Sequence, residues 1–308
     1  MQCQLSNVNA AQNYFYNFAD PLFSLILADP LANFKMAQLS VSSTNEGIIR
    51  YLSRLPQLID LEIECRSGTF PCISSFKGLQ RLSVSGINGG CDGLSTLVAN
   101  SPGLSHLNIA ARRPRIRTPT PLLPDIFALL PPGRTMSIRS LGLSYFQMHI
   151  KSDMLPHLRS LESYRLHHHR PISDQFSGPP RFQNTISWNS LRISGVHLRH
   201  LDVDYVDNAL VDYLASSSGL ETLRFELSPH ESDFPKGLAY RFFTAMSGHA
   251  KSLKSLFVLV SSSSDWCFHI DYINPLLLCK ELNMLSMSIA FLWDDLQSHR
   301  LDVVSPNI

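Results

Sequence analysis

Along the chain a short phrase of apolar positions recurs, apolar-x-x-Leu-x-apolar, with polar residues between. It runs through Met36-Leu39-Val41, Leu58-Leu61-Ile63, Leu79-Leu82-Val84, Leu104-Leu107-Ile109 and Ile138-Leu141-Leu143. It continues through Leu158-Leu161 with Ser163 in the third place, Leu198-Leu201-Val203, Leu220-Leu223-Phe225, Leu253-Leu256-Val258 and Leu282-Leu285-Met287. Alternate residues of a strand face opposite ways, so each phrase predicts a short strand with its leucines on one face. Successive phrases start 20 to 40 residues apart, about 27 on average. A period of that size marks stacked repeats.

Between the strands the period changes to that of a helix. Thr44 is placed to cap a helix carrying Ile48, Ile49, Leu52 and Leu55. Asp92 precedes Leu94, Leu97 and Val98, and Asp207 precedes Leu210, Val211 and Leu214. The stretches Leu238 to Met246 and Ile273 to Leu278 read the same way. Turn residues then lead into the next strand, as at Leu55-Pro56, Ser101-Pro102-Gly103, Leu155-Pro156 and Ser218-Gly219. Strand, turn, helix, turn predicts parallel strands joined by helices, each repeat burying its leucines against its neighbours.

These ten phrases resemble the leucine-rich repeat superfamily. They are most similar to its ribonuclease-inhibitor-like branch, found in F-box/leucine-rich-repeat proteins. The resemblance implies an α/β leucine-rich-repeat solenoid of about ten divergent repeats, with a curved parallel sheet inside and irregular helices outside. The expected organisation is an N-terminal capping or truncated segment over 1–35, a repeat array over 36–290, and a C-terminal tail or capping helix over 291–308. Insertions fall at 110–137 and 164–197. Where the family carries a buried Asn or Cys after the strand, this chain has Arg66, Ile87, Arg112, Val206 and Ser228. An F-box needs a helical segment opening with a Leu-Pro pair, and residues 1–35 hold no such motif.

Composition sharpens this picture. The chain has 308 residues with 46 leucines and 41 serines, and the repeat absorbs much of both: leucine at strand and helix core places, serine in turns and outward strand places. The 26 Lys+Arg and 25 Asp+Glu leave a net charge of +1, which argues against a strongly basic nucleic-acid binder and an acidic disordered tail. No apolar run reaches the roughly 18 residues that cross a bilayer. The first basic residue is Lys35 and Asp20 precedes the early apolar stretch, unlike a secretory leader. The six cysteines, Cys3, Cys65, Cys72, Cys91, Cys267 and Cys279, form no CxxC pair. Reduced thiols in the cytoplasm or nucleus are expected, with a Cys65–Cys72 bridge as the alternative.

Candidate chemistry is sparse. The Arg112-Arg113-Pro114-Arg115-Ile116-Arg117 stretch reads as a solvated loop or as a contact for phosphate or an acidic partner. The second insertion is long enough to hide a degenerate repeat around Phe182 to Trp188. His167 and His169 could share a face, but no Cys or carboxylate nearby completes a metal site. Gly86, Gly89, Gly90 and Gly93 lie between a strand and a helix without the spacing of a phosphate loop, and Asp92 would repel phosphate there. No GxSxG or HExxH motif occurs. No catalytic, cofactor-binding or metal-binding residue is therefore predicted.

What remains is the face opposite the leucines. Its expected residues are Asp60, Glu62, Glu64, Arg81, His106, Asn108, Glu162, His200, Asp202, Asp204, Arg224, Glu226, Phe257 and Met284. Acidic patches fall on the second and seventh predicted strands, and Phe257 and Met284 are placed as apolar anchors. His200 with Asp202 and Asp204 is a bare possibility for a cation. The expectation is a non-enzymatic protein–protein interaction scaffold binding a protein partner on the concave face, without nucleic acid, membrane or cofactor. The resemblance implies substrate recognition in an SCF-type ubiquitin ligase, with a Skp1-like adaptor as partner if an F-box lies outside this chain. The alternatives are a hydrolase or transferase with a site scattered over the repeats, and an extracellular recognition module.

Overall fold

A computed structural model describes residues 4–5, 35–41, 49, 52–65, 73–87, 92–112, 123–146, 150–167, 183–227, 237–260 and 265–289. The Thr44 cap, Arg113 to Arg117, His168 and His169, Gly89 and Gly90, Cys3, Cys72 and Cys91, and the 291–308 segment lie outside them. The chain divides into two compact units, residues 1–202 and 203–308.

In the first unit, β1 (Gln4–Leu5), β2 (Met36–Val41), β3 (Asp60–Cys65), β4 (Arg81–Ile87), β5 (His106–Ala111), β6 (Ser140–Ser144) and β7 (Ser163–His167) pair in parallel. Each strand pairs with the next in sequence order. Parallel neighbours need a crossover, and the connections carry helices: α1 (Asp92–Ala99), α2 (Leu123–Phe127), α3 (Leu155–Leu158) and α4 (Gln183–Ile193). A 3-10 turn, Ile73–Ser75, serves where the repeat is shortest.

Two in-register rows build the core. Leu61, Leu82, Leu107, Leu141 and Tyr164 form one, and Ile63, Val84, Ile109, Leu143 and Leu166 the other. All are buried, and so are the helix residues over them: Leu94, Leu97 and Val98 of α1, Ile126 of α2, Leu158 of α3, and Trp188 and Leu191 of α4. Burying each such side chain stabilises the fold by roughly 2 kcal/mol before ordering costs.

A backbone ladder marks each repeat start. The carbonyl of the residue before one strand accepts two N–H groups at the start of the next. Ile59 and Asp60 donate to Lys35, Gln80 and Arg81 to Ile59, Ser105 and His106 to Gln80, and Arg139 and Ser140 to Ser105. Glu162 and Ser163 then donate to Arg139, and Arg199 and His200 to Glu162.

The ladder, the strand register and burial together correct four expectations. Glu162 is not an outward strand residue; it precedes β7, and the phrase there is Leu161-Tyr164-Leu166, three residues later than the pattern Leu158-Leu161-Ser163 suggests. Tyr164 fills the second leucine place, which hid the register. In β2, Ala37 pairs with Leu61 and Met36 with Asp60, so Met36 belongs to the outward row. Among the described residues of the 164–197 insertion there is no repeat strand between β7 and the strand that opens at His200. Gln183–Ile193 is the helix of an ordinary crossover, and Arg199 and His200 follow directly on Glu162. Asp204 is 8% exposed and lies past β8 (His200–Val203), so it is a buried carboxylate rather than a surface residue.

The second unit repeats the scheme with β9 (Thr222–Leu227), β10 (Ser255–Val260) and β11 (Met284–Met287), parallel and in order. Helices α5 (Asn208–Ser216), α6 (Leu238–Met246) and α7 (Ile273–Leu277) lie between, with 3-10 turns at Ser247–His249 and Ile270–Tyr272. Asp207 caps α5, its carboxylate accepting the Leu210 N–H at 2.8 Å. The core is aromatic. Trp266 lies edge-on to Phe225 and Phe242, with centroids 4.8 and 5.2 Å apart, and Phe243 stacks on Tyr272 at 4.2 Å. Both units are thus α/β, all-parallel and sequence-ordered, the architecture of a leucine-rich-repeat-like solenoid.

Candidate interaction surface on the sheet

The outward strand positions of the first unit stand in rows. Met36, Asp60, Arg81, His106, Ser140 and Ser163 form one row. Gln38, Glu62, Ser83, Asn108, Gly142 and Arg165 form the second. Glu64, Ser85, Ala110, Ser144 and His167 form the third.

The rows change character from strand to strand. All three outward residues of β3 are acidic: Asp60, Glu62 and Glu64. Asp60 is held from β4 by Arg81, whose Nε and Nη2 both reach Oδ2 at 2.8 Å. In the second and third rows the face is low between β4 and β6, built of Ser83, Ser85, Ala110, Gly142 and Ser144, while the first row carries the longer Arg81 and His106 beside Ser140. Asn108 crosses this floor, donating from Nδ2 to Ser83 Oγ at 3.1 Å. It also lies over Gly142, where an added Cβ would come 2.2 Å from Asn108 Oδ1. His106 is exposed, its Nδ1 2.9 Å from Ser105 Oγ.

At the far end Asp202 is gripped by two side chains of β7. Arg165 Nε donates to Oδ2 at 2.8 Å, and His167 Nε2 lies 2.9 Å from Oδ1. Burial alone would raise the Asp202 carboxyl, but the His167 hydrogen bond and charge, with those of Arg165, hold it below its usual value. The sequence pattern did not place Arg165 on this face, and it suggested His167 only as a metal candidate beside His169, because Tyr164 hid the β7 register; His167 instead meets Asp202. The candidate His200–Asp202–Asp204 cation group is not assembled as expected: Asp202 is engaged by Arg165 and His167, and Asp204 is buried. Among the described residues no group of three His, Cys, Asp or Glu is placed to hold a metal ion.

Arg112 does not reach into solvent as part of a basic loop. Its Nη2 donates to the Cys65 carbonyl at 2.9 Å, across β4. There the β4 register shifts between Ser85 and Ile87, and Gly86 sits against the same carbonyl. Cys65 is a free, buried thiol; burial pushes it up to about 11, against the nearby Arg112 charge.

On the sheet of the second unit, Arg224 and Glu226 are exposed and pair with each other at 3.0 Å. Phe257 is half-buried in register between Arg224 and Ser286, and Met284 is 50% exposed. An open groove of about 380 Å³ lies between α5 and α6, lined by Val211, Ala215, Tyr240 and Arg241 among others. None of the predicted surface residues lines it. Among the described residues no helix is long and apolar enough to cross a membrane. No family model matches the chain, and no curated protein matches it.

Proposed function

We propose that the protein is a non-enzymatic scaffold of the leucine-rich-repeat type that binds a protein partner on its sheet face. The observation that carries this reading is the in-register outward surface of β3 to β7: an acidic edge, a low floor of serine, alanine and glycine, and a charged clamp. Asp60 pairs with Arg81, and Asp202 with Arg165 and His167, across strands, whereas the groups of a hydrolase or transferase would converge on a cleft. A low floor between charged margins leaves room for a partner's side chains, and the margins set its orientation.

The finer reading, substrate recognition in an SCF-type ubiquitin ligase, rests on the resemblance of the repeat phrases. Quantitative affinity purification of the full chain tests both readings. A partner retained by the wild type and lost from a Glu62→Arg, Ser144→Trp variant of unchanged circular dichroism supports the scaffold. A partner set indifferent to that change overturns it. Recovery of a Skp1-like adaptor supports the ligase version, and its absence from every specific complex counts against it.

A further inference from the structure

Two buried histidines stand at the same register of two repeats, one in each unit. His157 lies four residues before Leu161, and His249 four before Leu253, the leucines that open the β7 and β10 phrases. Both use the ring to hold the backbone of the preceding repeat. His157 Nδ1 accepts the Met136 N–H at 3.1 Å, and its ring stacks on Phe127 with centroids 5.6 Å apart. His249, 1% exposed, accepts the Leu220 N–H at Nδ1 (3.3 Å). Its other nitrogen, Nε2, lies 3.0 Å from the Leu214 carbonyl and donates to it.

An imidazole nitrogen that accepts an N–H carries no proton. Protonating it turns an acceptor into a donor, pointed at the N–H it held. A buried backbone N–H then loses its partner, and a cation is left in an apolar setting. We propose that His157 and His249 form an acid-sensitive latch between successive repeats, closed while the two rings are neutral and released when each takes up a proton.

The surroundings fit this sign. Burial lowers His249, against the Leu214 hydrogen bond, and no charged side chain among the described residues acts on it. Burial also lowers His157, against the one facing charge, Asp153. With folded values below the unfolded one, near 6.5, the latch is fully stabilising above about pH 6.5. It is lost as pH falls through the folded values. The first unit carries a built-in contrast. The Leu79 N–H is held by Ser101 Oγ at 3.3 Å, from the turn just before the β5 phrase, and a serine does not titrate.

Amide hydrogen exchange of the full chain, followed by NMR from pH 7.5 to 5 and corrected for intrinsic rates, tests the proposal. The latch predicts that protection of the Leu220 and Met136 amides falls by up to tenfold per pH unit below about pH 6, one proton per site, while that of Leu79 holds. His249→Gln, which offers both an acceptor and a donor without titrating, removes the fall at Leu220. Equal losses at all three amides indicate general acid unfolding and overturn the latch, as does constant protection. Should the variant fail to fold, the wild-type contrast decides alone.

Discussion

Asn108 and Gly142 occupy one another's space across β5 and β6: the Asn108 carboxamide lies where a Gly142 side chain would be, 2.2 Å from its ideal Cβ. The glycine is therefore part of the outward surface design. Gly142→Ala expels the Asn108 carboxamide and breaks its hydrogen bond to Ser83, at a cost of about 1 kcal/mol. In a double-mutant cycle with Asn108→Ala, most of that cost disappears. Additive losses in denaturant unfolding would show that the two side chains do not compete.

Gly86 meets backbone instead. Its φ is +79°, and an added Cβ would lie 2.3 Å from the Cys65 carbonyl oxygen, which also receives Arg112. Backbone cannot swing aside as a carboxamide can. Gly86→Ala is expected to destabilise the first unit by about 2 kcal/mol or more, well above the cost at Gly142. Thermal unfolding of the two variants side by side reads this order directly.

The Asp202 clamp predicts a pH dependence. Its carboxyl is held below the usual value, so its contribution is present above the unfolded value near 3.9 and is lost as pH falls through the folded one. Asp202→Asn should lose about 1 kcal/mol at pH 7, and the gap to wild type should narrow toward pH 3. Denaturant midpoints at both pH values measure it; a constant gap would mean the clamp is not ionic.

Cys65 should be inert in the folded protein. A thiol near 11 is about one thousandth thiolate at pH 8, and this one is also buried. Iodoacetamide at pH 8 is expected to leave Cys65 unmodified until denaturant is added, as mass spectrometry of its peptide would report. Rapid native labelling would place the β3 end in solvent.

The repeat was legible where leucine fills the phrase, as in β3 to β6, β9 and β10, because alternation alone decides which face is buried; in β11 the register holds, but Leu285 is 46% exposed. It misled where another residue took a core place: Tyr164 stands for leucine in β7, and Ala37 in β2. A shift of three residues placed Glu162, which is exposed but precedes β7, among the outward strand residues, and concealed Arg165 and the sheet-face place of His167. Length alone suggested a hidden repeat at 164–197, where an ordinary helix lies. The cross-strand pairs, Asn108 with Gly142 and Asp202 with His167, link residues more than 30 positions apart, and strand spacing does not specify such pairs. Nor does composition separate Arg112, drawn back onto Cys65, from the arginines that follow it.

The central claim, that the sheet face receives a protein partner, is tested most directly by site-specific photo-crosslinking in cells. A photoreactive side chain is placed at Ser83 or Ser144 on the outward rows, and at Leu129 or Tyr240, both exposed and away from the strands. The account predicts one discrete crosslinked species from Ser83 and Ser144 and none shared with Leu129 or Tyr240. The same species from all four positions, or none from the sheet, would contradict it.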